Sequence, residues 1–310
     1  MSPMPAEWID GKAIARMMTM QVRAGLQALR PHRPCLVSLS VGDDPASALY
    51  IRNQRKACEA VGIDFQSHHL PAEISELELA SEISRLNLDP AVTAIILQRP
   101  LPQGIHQHRM QALIDPAKDV EGLNPASLGC IVCGEPRLAP CTAAAAVRCV
   151  RSTGTELRGK EVVVVGHSEI VGKPIAFLML NHFATTTICH IATQDLAAHV
   201  RRADILFAAV GKPGLIRGPM VRPGAIVIDI GICQVPMVGP DGAPLLDTDG
   251  RPRIGLAGDV EAESVRQVAS FLTPVPGGVG PVTVASLLRN VLLATRLQLA
   301  LEIDPEEFAI

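Results

Sequence analysis

The sequence predicts an α/β fold with parallel sheets, and two observations lead to this prediction. Apolar strand-like segments alternate with helical segments along the chain, a pattern typical of parallel sheets. In the second half, the β-branched run Val162–Val165 is apolar on both faces, as a central strand must be. With 310 residues, the chain is long enough for two domains or one large one.

Composition limits the classes of function. The chain is 48% hydrophobic with one Trp and one Tyr, so its core is aliphatic. Its net charge is −3 and it has no long Lys/Arg run or apolar run of membrane-spanning length, so we expect neither nucleic-acid nor membrane binding. Residues 1–20 resemble the start of an amphipathic helix rather than a cleavable signal, which favours a cytoplasmic protein. The eight scattered cysteines indicate reduced thiols, and the single Cys130-x-x-Cys133 pair does not predict a metal site.

In the first half, helical and strand-like segments alternate three times before a polar loop at 116–125. The predicted elements are a helix at 13–29, a strand at 35–42, a helix at 48–61 capped by Asp43 or Asp44, a strand at 65–70, a helix at 75–86, a strand at 92–98 and a short helix at 106–114.

The second half continues the alternation from the strand at 162–165. The predicted elements are a helix at 175–180, a strand at 185–190, a helix at 196–202, strands at 205–211 and 225–231, an exposed hairpin or loop at 239–255, an irregular loop at 272–281, a closing helix at 282–299 and an acidic tail.

The turn after Val165 has the features of a dinucleotide site. Gly166 ends the strand with a sharp turn, Gly172 allows close backbone approach, and Pro174 fits the first turn of a helix. Such a strand, glycine turn and helix N-terminus can bind a pyrophosphate. The spacing differs from G-x-G-x-x-G, so an ordinary turn without a ligand remains an alternative.

Gln98 lies at the carboxyl end of a predicted buried strand, just before Pro100. Side chains at such strand ends face the ligand cleft in open α/β sheets, which makes Gln98 a candidate site residue. A strand-end amide that only hydrogen-bonds a loop is the alternative.

The chain also contains a set of distinctive motifs in a fixed order. They are Val41-Gly42-Asp43-Asp44-Pro45-Ala46-Ser47 with Tyr50 and Lys56-Ala57-Cys58, Gln98-x-Pro100-Leu101-Pro102, Lys118-Asp119-Val120-x-Gly122, Pro140-Cys141-Thr142, Gly166-x-Ser168-x-Ile170-Val171-Gly172-Lys173-Pro174, Val210-Gly211-Lys212-Pro213-Gly214, Asp229-x-Gly231 and Thr273-Pro274-Val275-Pro276-Gly277-Gly278-Val279-Gly280-Pro281-x-Thr283. Together these motifs resemble the methylenetetrahydrofolate dehydrogenase/cyclohydrolase family over about residues 8–297.

The resemblance implies two lobes around a cleft, usually in a homodimer. Residues 1–140 and 280–300 would form a parallel α/β lobe that holds a tetrahydrofolate derivative and is completed by the C-terminal helix. Residues 141–279 would form a Rossmann-like NAD(P)-binding lobe, with 301–310 as a tail. The family moves a hydride from 5,10-methylenetetrahydrofolate to the nicotinamide, and many members then hydrolyse the methenyl product to 10-formyltetrahydrofolate.

By resemblance, Tyr50 stacks on the folate, Gln98 lies beside the reacting atoms, and position 121 binds the pterin edge. The predicted floor of the folate cleft is formed by Pro274, Gly277 and Gly278. The predicted cofactor-binding residues are Gly166, His167, Ser168, Ile170, Val171, Gly172, His190, Val210, Gly211 and Ile232.

Three residues of the expected folate cleft depart from the family pattern. Gln54 replaces a lysine, Glu121 replaces an aspartate, and Arg99 replaces a leucine. Because Gln54 neither titrates nor carries charge, we expect weak or absent cyclohydrolase activity. A catalytically degenerate regulatory paralogue that binds folate or the regular enzyme, and an oxidoreductase for another cyclic aminal or imine, are the alternatives.

The expected cofactor is NADP, with NAD possible. No carboxylate occupies the strand tip at His190, where NAD-binding proteins hold the ribose, and His167 stands where the family has a basic residue. A histidine is only partly charged near pH 7, so the predicted discrimination is smaller than an arginine would give and grows as pH falls.

Overall fold

The structure is a computed structural model that describes residues 5–303 except 238, 240–243 and 248, and the backbone alone at 45, 46 and 49. The chain divides into two compact units. Unit 1 is Met1–Ile14 with Ala145–Val282, and unit 2 is Ala15–Ala144 with Thr283–Ile310. Most of the predicted tail and part of the predicted 239–255 loop lie outside the described residues.

The helices and strands largely follow the predicted alternation. The helices are α1 (Gly11–Ala28), α2 (Pro45–Val61), α3 (Glu76–Leu88), α4 (Gln107–Leu113), α5 (Pro125–Val132), α6 (Cys141–Arg151), α7 (Gly172–Asn181), α8 (Leu196–Val200), α9 (Ala262–Arg266) and α10 (Val279–Gln298). The strands are β1 (Glu7–Trp8), β2 (Cys35–Val41), β3 (Asp64–Leu70), β4 (Ala94–Leu97), β5 (Glu161–Val165), β6 (Thr185–Cys189), β7 (Ile205–Ala208), β8 (Ile226–Asp229), β9 (Cys233–Pro236), β10 (Ile254–Ala257) and β11 (Phe271–Leu272).

Unit 2 contains a three-stranded parallel sheet in the order β3-β2-β4. Every residue of β2 is buried, and two consecutive residues of this strand, Leu36 and Val37, belong to two different hydrophobic clusters. Successive side chains of a strand point to opposite faces, so both faces of this sheet are covered. Residues of α10, including Val291, belong to the same cluster as Leu36, as expected if the C-terminal helix completes this lobe.

Unit 1 contains a six-stranded parallel sheet in the order β1-β11-β8-β7-β5-β6. The run Val162–Val165 in β5 is at most 2% exposed, which confirms the prediction of a central strand. The edge position of β1 was not predicted: Glu7 and Trp8 pair with Phe271 and Leu272 of β11 rather than starting a helix. Two-residue strands carry too little periodicity to be recognised locally.

The structure corrects other segment boundaries. Helices α5 and α6 were not predicted; α5 begins at Pro125, where Asn124 caps it by accepting from the Ala126 amide. The closing helix α10 begins at Val279, within the segment predicted as an irregular loop. Strands β9 and β10 pair antiparallel as the two arms of a hairpin. Most of the segment predicted to be exposed, 239–255, lies between these two strands in the chain. Among the described residues, no helix is both long and apolar enough to span a membrane.

Candidate functional site

The start of α2 is fixed by Asp44 and lies against the segment after β4. The Asp44 carboxylate accepts from the Ser47 amide at 2.7 Å, which is the N-cap hydrogen bond the sequence predicted. The hydroxyl of Ser47 also lies 3.1 Å from the carbonyl oxygen of Arg99. This contact brings the first turns of α2 beside the end of β4, where Gln98 is located.

Gln98, Gln54 and Ser38 form a buried hydrogen-bonded group. The Nε2 of Gln98 donates to Ser38 Oγ and to Gln54 Oε1, both at 2.9 Å. All three side chains are at least 93% buried. Gln98 thus bonds a strand and a helix rather than a loop, and its role beside the reacting atoms stays a prediction. Ser38 was not predicted, although a polar residue within an apolar strand is a usable signal.

Tyr50 lies on the same face of α2 as Gln54, four residues before it. The residue is 44% exposed, so its ring is open to a ligand. Burial around the phenol, together with the Cys141 thiol and the Glu121 carboxylate, raises the pKa of Tyr50 to about 12, against an opposing effect of Arg99. Tyr50 therefore remains a neutral phenol at physiological pH.

Glu121 follows a short chain segment that runs beside β4. Asp119 forms a single parallel bridge with Ile95, which places this segment next to the strand. Among the described residues, Glu121 Oε2 is buried without a hydrogen-bond partner. Burial raises the pKa of Glu121 to about 7; Arg99 opposes this effect and Asp119 adds to it. Glu121 thus exchanges a proton near neutral pH.

Two other charged residues of unit 2, Arg55 and Lys118, make structural contacts. The guanidinium of Arg55 lies 4.9 Å from the ring centre of Phe65, so it stacks on β3 rather than joining Gln54. Lys118 donates to the carbonyls of Leu86 and Asp89 at 3.1 and 2.8 Å. The lysine of the Lys-Asp-Val motif is therefore a structural residue of unit 2.

In unit 1, the turn after β5 has the close backbone approach predicted for it. Gly166 has φ +126°, and a Cβ there would lie 2.2 Å from the carbonyl oxygen of Ala209. A Cβ on Gly172 would lie 1.9 Å from the carbonyl oxygen of Gly166. Only glycine fits at either position, so the turn forms a cradle into which a phosphate can approach the backbone.

Ser168 closes this turn onto the start of α7. Its Oγ accepts from the amides of Val171 and Gly172 at 3.2 and 3.4 Å, and its carbonyl accepts from Lys173. Both side-chain hydrogen bonds are long, so a phosphate oxygen can replace Ser168 as their acceptor. The donor set and the space in the turn therefore fit a pyrophosphate; Ile170 is only partly buried beside it.

His167 and His190 lie together at the carboxyl ends of β5 and β6. Their ring centres are 5.3 Å apart in an edge-to-face arrangement, and both residues are exposed. The amide of Ala192 donates to Nδ1 of His190 at 3.2 Å, which leaves Nε2 as the second ring nitrogen for a ligand. This pair lies at the strand ends where a dinucleotide-binding fold binds the ribose of the cofactor.

Val210 and Gly211 contact a residue that the sequence did not reveal as important. Their amides donate to the Asp259 carboxylate at 2.6 and 3.2 Å, and the Lys212 amide donates to it at 2.7 Å. These amides are therefore already bound. The exposed side chain of Val210 and that of Ile232, 64% exposed, are the parts open to a cofactor.

Asp229 connects the end of β8 to the segment that carries Asp259. Its carboxylate accepts from the amides of Asp259, Val260 and Gly231 at 2.9–3.0 Å. Burial raises its pKa to about 6 despite these hydrogen bonds. Asp229 and Asp259 thus accept hydrogen bonds from backbone amides of the loops at the carboxyl ends of β7 and β8 and hold these loops in place.

Pro274, Gly277 and Gly278 belong to unit 1 and lead into α10. The Gly278 amide donates to the Pro274 carbonyl at 2.8 Å, and Gly277 has φ +109°. Gly11 packs so closely that its Cβ would lie 1.7 Å from the Gly278 carbonyl oxygen. The turn is therefore closely packed against Gly11, while its contact with a folate stays a prediction. No group of three or more His, Cys, Asp or Glu suited to a metal occurs among the described residues.

Comparison with known proteins agrees with this arrangement. The family described as "Tetrahydrofolate dehydrogenase/cyclohydrolase, catalytic domain" matches residues 9–121, and its "NAD(P)-binding domain" matches 140–299. The bifunctional protein FolD 2 of Mesorhizobium japonicum is 50% identical over 301 residues, covering 96% of this chain and 94% of its own. The bifunctional protein FolD of Rhodobacter capsulatus is 50% identical and covers 94% of each chain.

A solved structure is also similar throughout. The methylenetetrahydrofolate dehydrogenase-cyclohydrolase (FolD) of Trypanosoma brucei, complexed with NADP and an inhibitor, superposes with a TM-score of 0.86 at 37% identity, covering 95% of this chain and 99% of its own. On sequence identity, coverage and fold alike, the chain belongs to the tetrahydrofolate dehydrogenase/cyclohydrolase family.

Proposed function

We propose that this protein is an NADP-dependent oxidoreductase that interconverts 5,10-methylenetetrahydrofolate and 5,10-methenyltetrahydrofolate, with slow hydrolysis of the methenyl product. The observation that carries the proposal is the buried contact between Gln98 and Gln54 on the face of α2 that presents Tyr50. It keeps a polar, uncharged group at the position expected beside the reacting atoms.

The protein contributes mainly orientation to this reaction. Bound NADP supplies the nicotinamide that accepts or donates the hydride. The open face of Tyr50 offers a stacking surface for the pterin ring, and Gln98 is fixed by Ser38 and Gln54. Holding the reacting groups in place is a large part of the rate enhancement in such reactions.

Slow hydrolysis follows from the identity of residue 54. Addition of water to the methenyl carbon requires a group that takes up a proton. A lysine can change its protonation state when buried, whereas the amide of Gln54 cannot. Gln54 is 2% exposed, so bulk water does not reach this position to take up the proton in place of a lysine.

Preference for NADP rests on the histidine pair of unit 1. His167 and His190 are adjacent and exposed at the strand tips, and they can donate hydrogen bonds to a 2′-phosphate. The T. brucei relative was solved with NADP, which supports the same cofactor here. The family resemblance also supports a homodimer, which light scattering of the purified protein tests.

The decisive experiment mixes purified protein with 5,10-methylenetetrahydrofolate and NADP or NAD, and follows absorbance at the methenyl band. We expect the band to rise faster with NADP and then to decay slowly. Binding of both ligands without any rise in the band would support a catalytically degenerate paralogue instead. Failure to bind the folate, with turnover of another cyclic imine, would support a different substrate.

A further inference from the structure

We propose that Glu121 is the proton-transfer residue for the hydrolysis of methenyltetrahydrofolate that this chain retains, in place of the side chain at position 54. The inference rests on the proposed function, since it concerns the second step at the same folate site. It assigns to Glu121 a chemical role beyond that of holding the substrate.

Two described side chains of unit 2, those of Glu121 and Ser286, have a buried oxygen without a hydrogen-bond partner, and only Glu121 carries an ionisable carboxyl group. Its Oε2 is buried and lacks a hydrogen-bond partner among the residues the structure describes. A buried carboxyl oxygen without a partner is costly, and such atoms are found where a ligand or water completes the set. The Glu121 segment is fixed on its other side, where Asn290 of α10 donates to the Val120 carbonyl at 2.8 Å.

The other titratable groups whose charges couple with that of Glu121 are those of Asp119, Cys141, Tyr50 and Arg99, and none of them suits the transfer. Asp119 is fully buried and accepts from Asn124, Ser127 and Gln111, so its oxygens are already bound. The Cys141 thiol donates to the Val120 carbonyl, and burial raises its pKa well above the usual value.

The two remaining groups are Tyr50 and Arg99. Tyr50 stays protonated because its pKa is about 12, and the guanidinium of Arg99 offers only N–H donors and no acceptor for a proton. With a pKa raised by burial to about 7, Glu121 is present in both protonation states near neutrality. A group that gives and takes a proton works best when its pKa lies near the operating pH.

The proposed step balances in atoms and charge. The Glu121 carboxylate takes one proton from water as the water oxygen bonds to the methenyl carbon. The resulting carboxylic acid returns that proton to N5 of the folate as the bond between that carbon and N5 breaks. The hydroxyl proton leaves to solvent as the formyl carbonyl forms, so that a cation and water give a neutral product and one proton.

The test measures hydrolysis of added methenyltetrahydrofolate without NADP, from pH 5.5 to 8.5, after subtraction of the uncatalysed rate. For the unmodified protein we expect kcat to rise with pH, to reach half of its maximum near pH 7 and to level off above pH 8. Glu121→Gln keeps the shape but cannot titrate, so it should lower kcat by about 10²-fold or more and remove the pH dependence. Glu121→Asp should retain a pH-dependent rate.

Two comparisons separate chemistry from structure. In Gln54→Lys/Glu121→Gln, a lysine at position 54 should restore much of the lost kcat, which a folding defect would not permit. Glu73→Gln, an exposed change in the same unit, should leave the rate unchanged. If Glu121→Gln raises KM but keeps kcat and its pH dependence, Glu121 only binds substrate and the inference is wrong.

Dehydrogenase activity measured on the same samples distinguishes the two proposals. Methenyl formation with NADP, combined with hydrolysis that Glu121→Gln does not change, overturns this inference alone. The same is true if the unmodified protein forms methenyl but does not hydrolyse it above the uncatalysed rate. Absence of methenyl formation overturns the proposed function.

Discussion

The side chains of Gln98 and Gln54 are hydrogen-bonded to each other at 2.9 Å, although the residues are 44 positions apart in the chain. The bond links the end of β4 to the middle of α2 and is supported by Ser38 in the central strand β2. Two neutral amides thus occupy a position where the family pattern places a lysine beside the glutamine. In our proposal, Glu121 is then the residue of this site that exchanges a proton with water.

The first prediction concerns Gln54→Lys. A lysine at this position can hydrogen-bond the Gln98 side-chain oxygen and exchange a proton, so hydrolysis of the methenyl compound should accelerate by about 10²-fold. The rate of methenyl formation should change far less. Both rates are read from one absorbance trace, and Gln54→Met serves as the control of similar length. Equal acceleration by the methionine variant would show that charge is not the cause.

Ser38→Ala should lower the dehydrogenase kcat without abolishing it. The substitution removes one of the two acceptors of Gln98 Nε2, and a lost hydrogen bond of this kind is worth about 1 kcal/mol. We therefore expect the free energy of unfolding to fall by about 1 kcal/mol and, because Gln98 is then held less firmly, kcat to decrease by up to roughly fivefold. Ser84→Ala on the exposed side of α3 is the matched control. No difference between the two variants would mean that Gln54 alone positions Gln98.

His190→Asp should shift cofactor preference toward NAD. A carboxylate at the tip of β6 can accept from the ribose hydroxyls of NAD and repels the 2′-phosphate of NADP. The ratio of kcat/KM for NADP to that for NAD should fall by about tenfold or more. His199→Asp, also in unit 1 but on α8, should leave the ratio unchanged. A ratio unaffected by His190→Asp would place the 2′-phosphate elsewhere.

Asp259→Asn should destabilise unit 1. The fully buried carboxylate accepts three backbone amides, and an asparagine side chain presents one acceptor oxygen and one donor nitrogen to them. We expect the free energy of unfolding to fall by about 2–3 kcal/mol. Urea denaturation measures this change. Asp64→Asn removes only a surface pair with Arg33 and should cost at most about 1 kcal/mol.

Glu121 should make the protein less stable as pH rises. Its pKa in the folded state, about 7, lies above the ordinary value of 4.5, so the folded state favours the protonated form. The stabilisation is complete below pH 4.5 and is lost as pH rises through 7, by roughly 3 kcal/mol in total. The difference in unfolding free energy between the unmodified protein and Glu121→Gln should therefore change between pH 5 and pH 8. Asp229 titrates in both proteins and cancels from the comparison.

Much of the architecture was predictable from local patterns. The buried run in β5, the cap Asp44 and the glycines at 166 and 172 occupy the predicted roles. Each depends on properties of a few neighbouring residues: strand periodicity, a side chain that reaches the next amides, or a backbone angle that only glycine adopts easily. The family motifs additionally indicated Tyr50, Gln98 and Glu121 as site residues, and their contact with ligands stays a prediction.

Tertiary structure alone decided which of these residues meet. No local signal shows that Gln98 bonds Gln54, that Asp259 holds the amides of Val210–Lys212, or that β1 pairs with β11 at the other end of the chain. These contacts join distant segments of the chain. The identity of an amide or carboxylate residue in the sequence does not show whether its side chain faces solvent or a buried partner. The pKa of Glu121 has the same origin, because burial and the charges around a carboxyl are fixed only when strand, helix and loop have packed together.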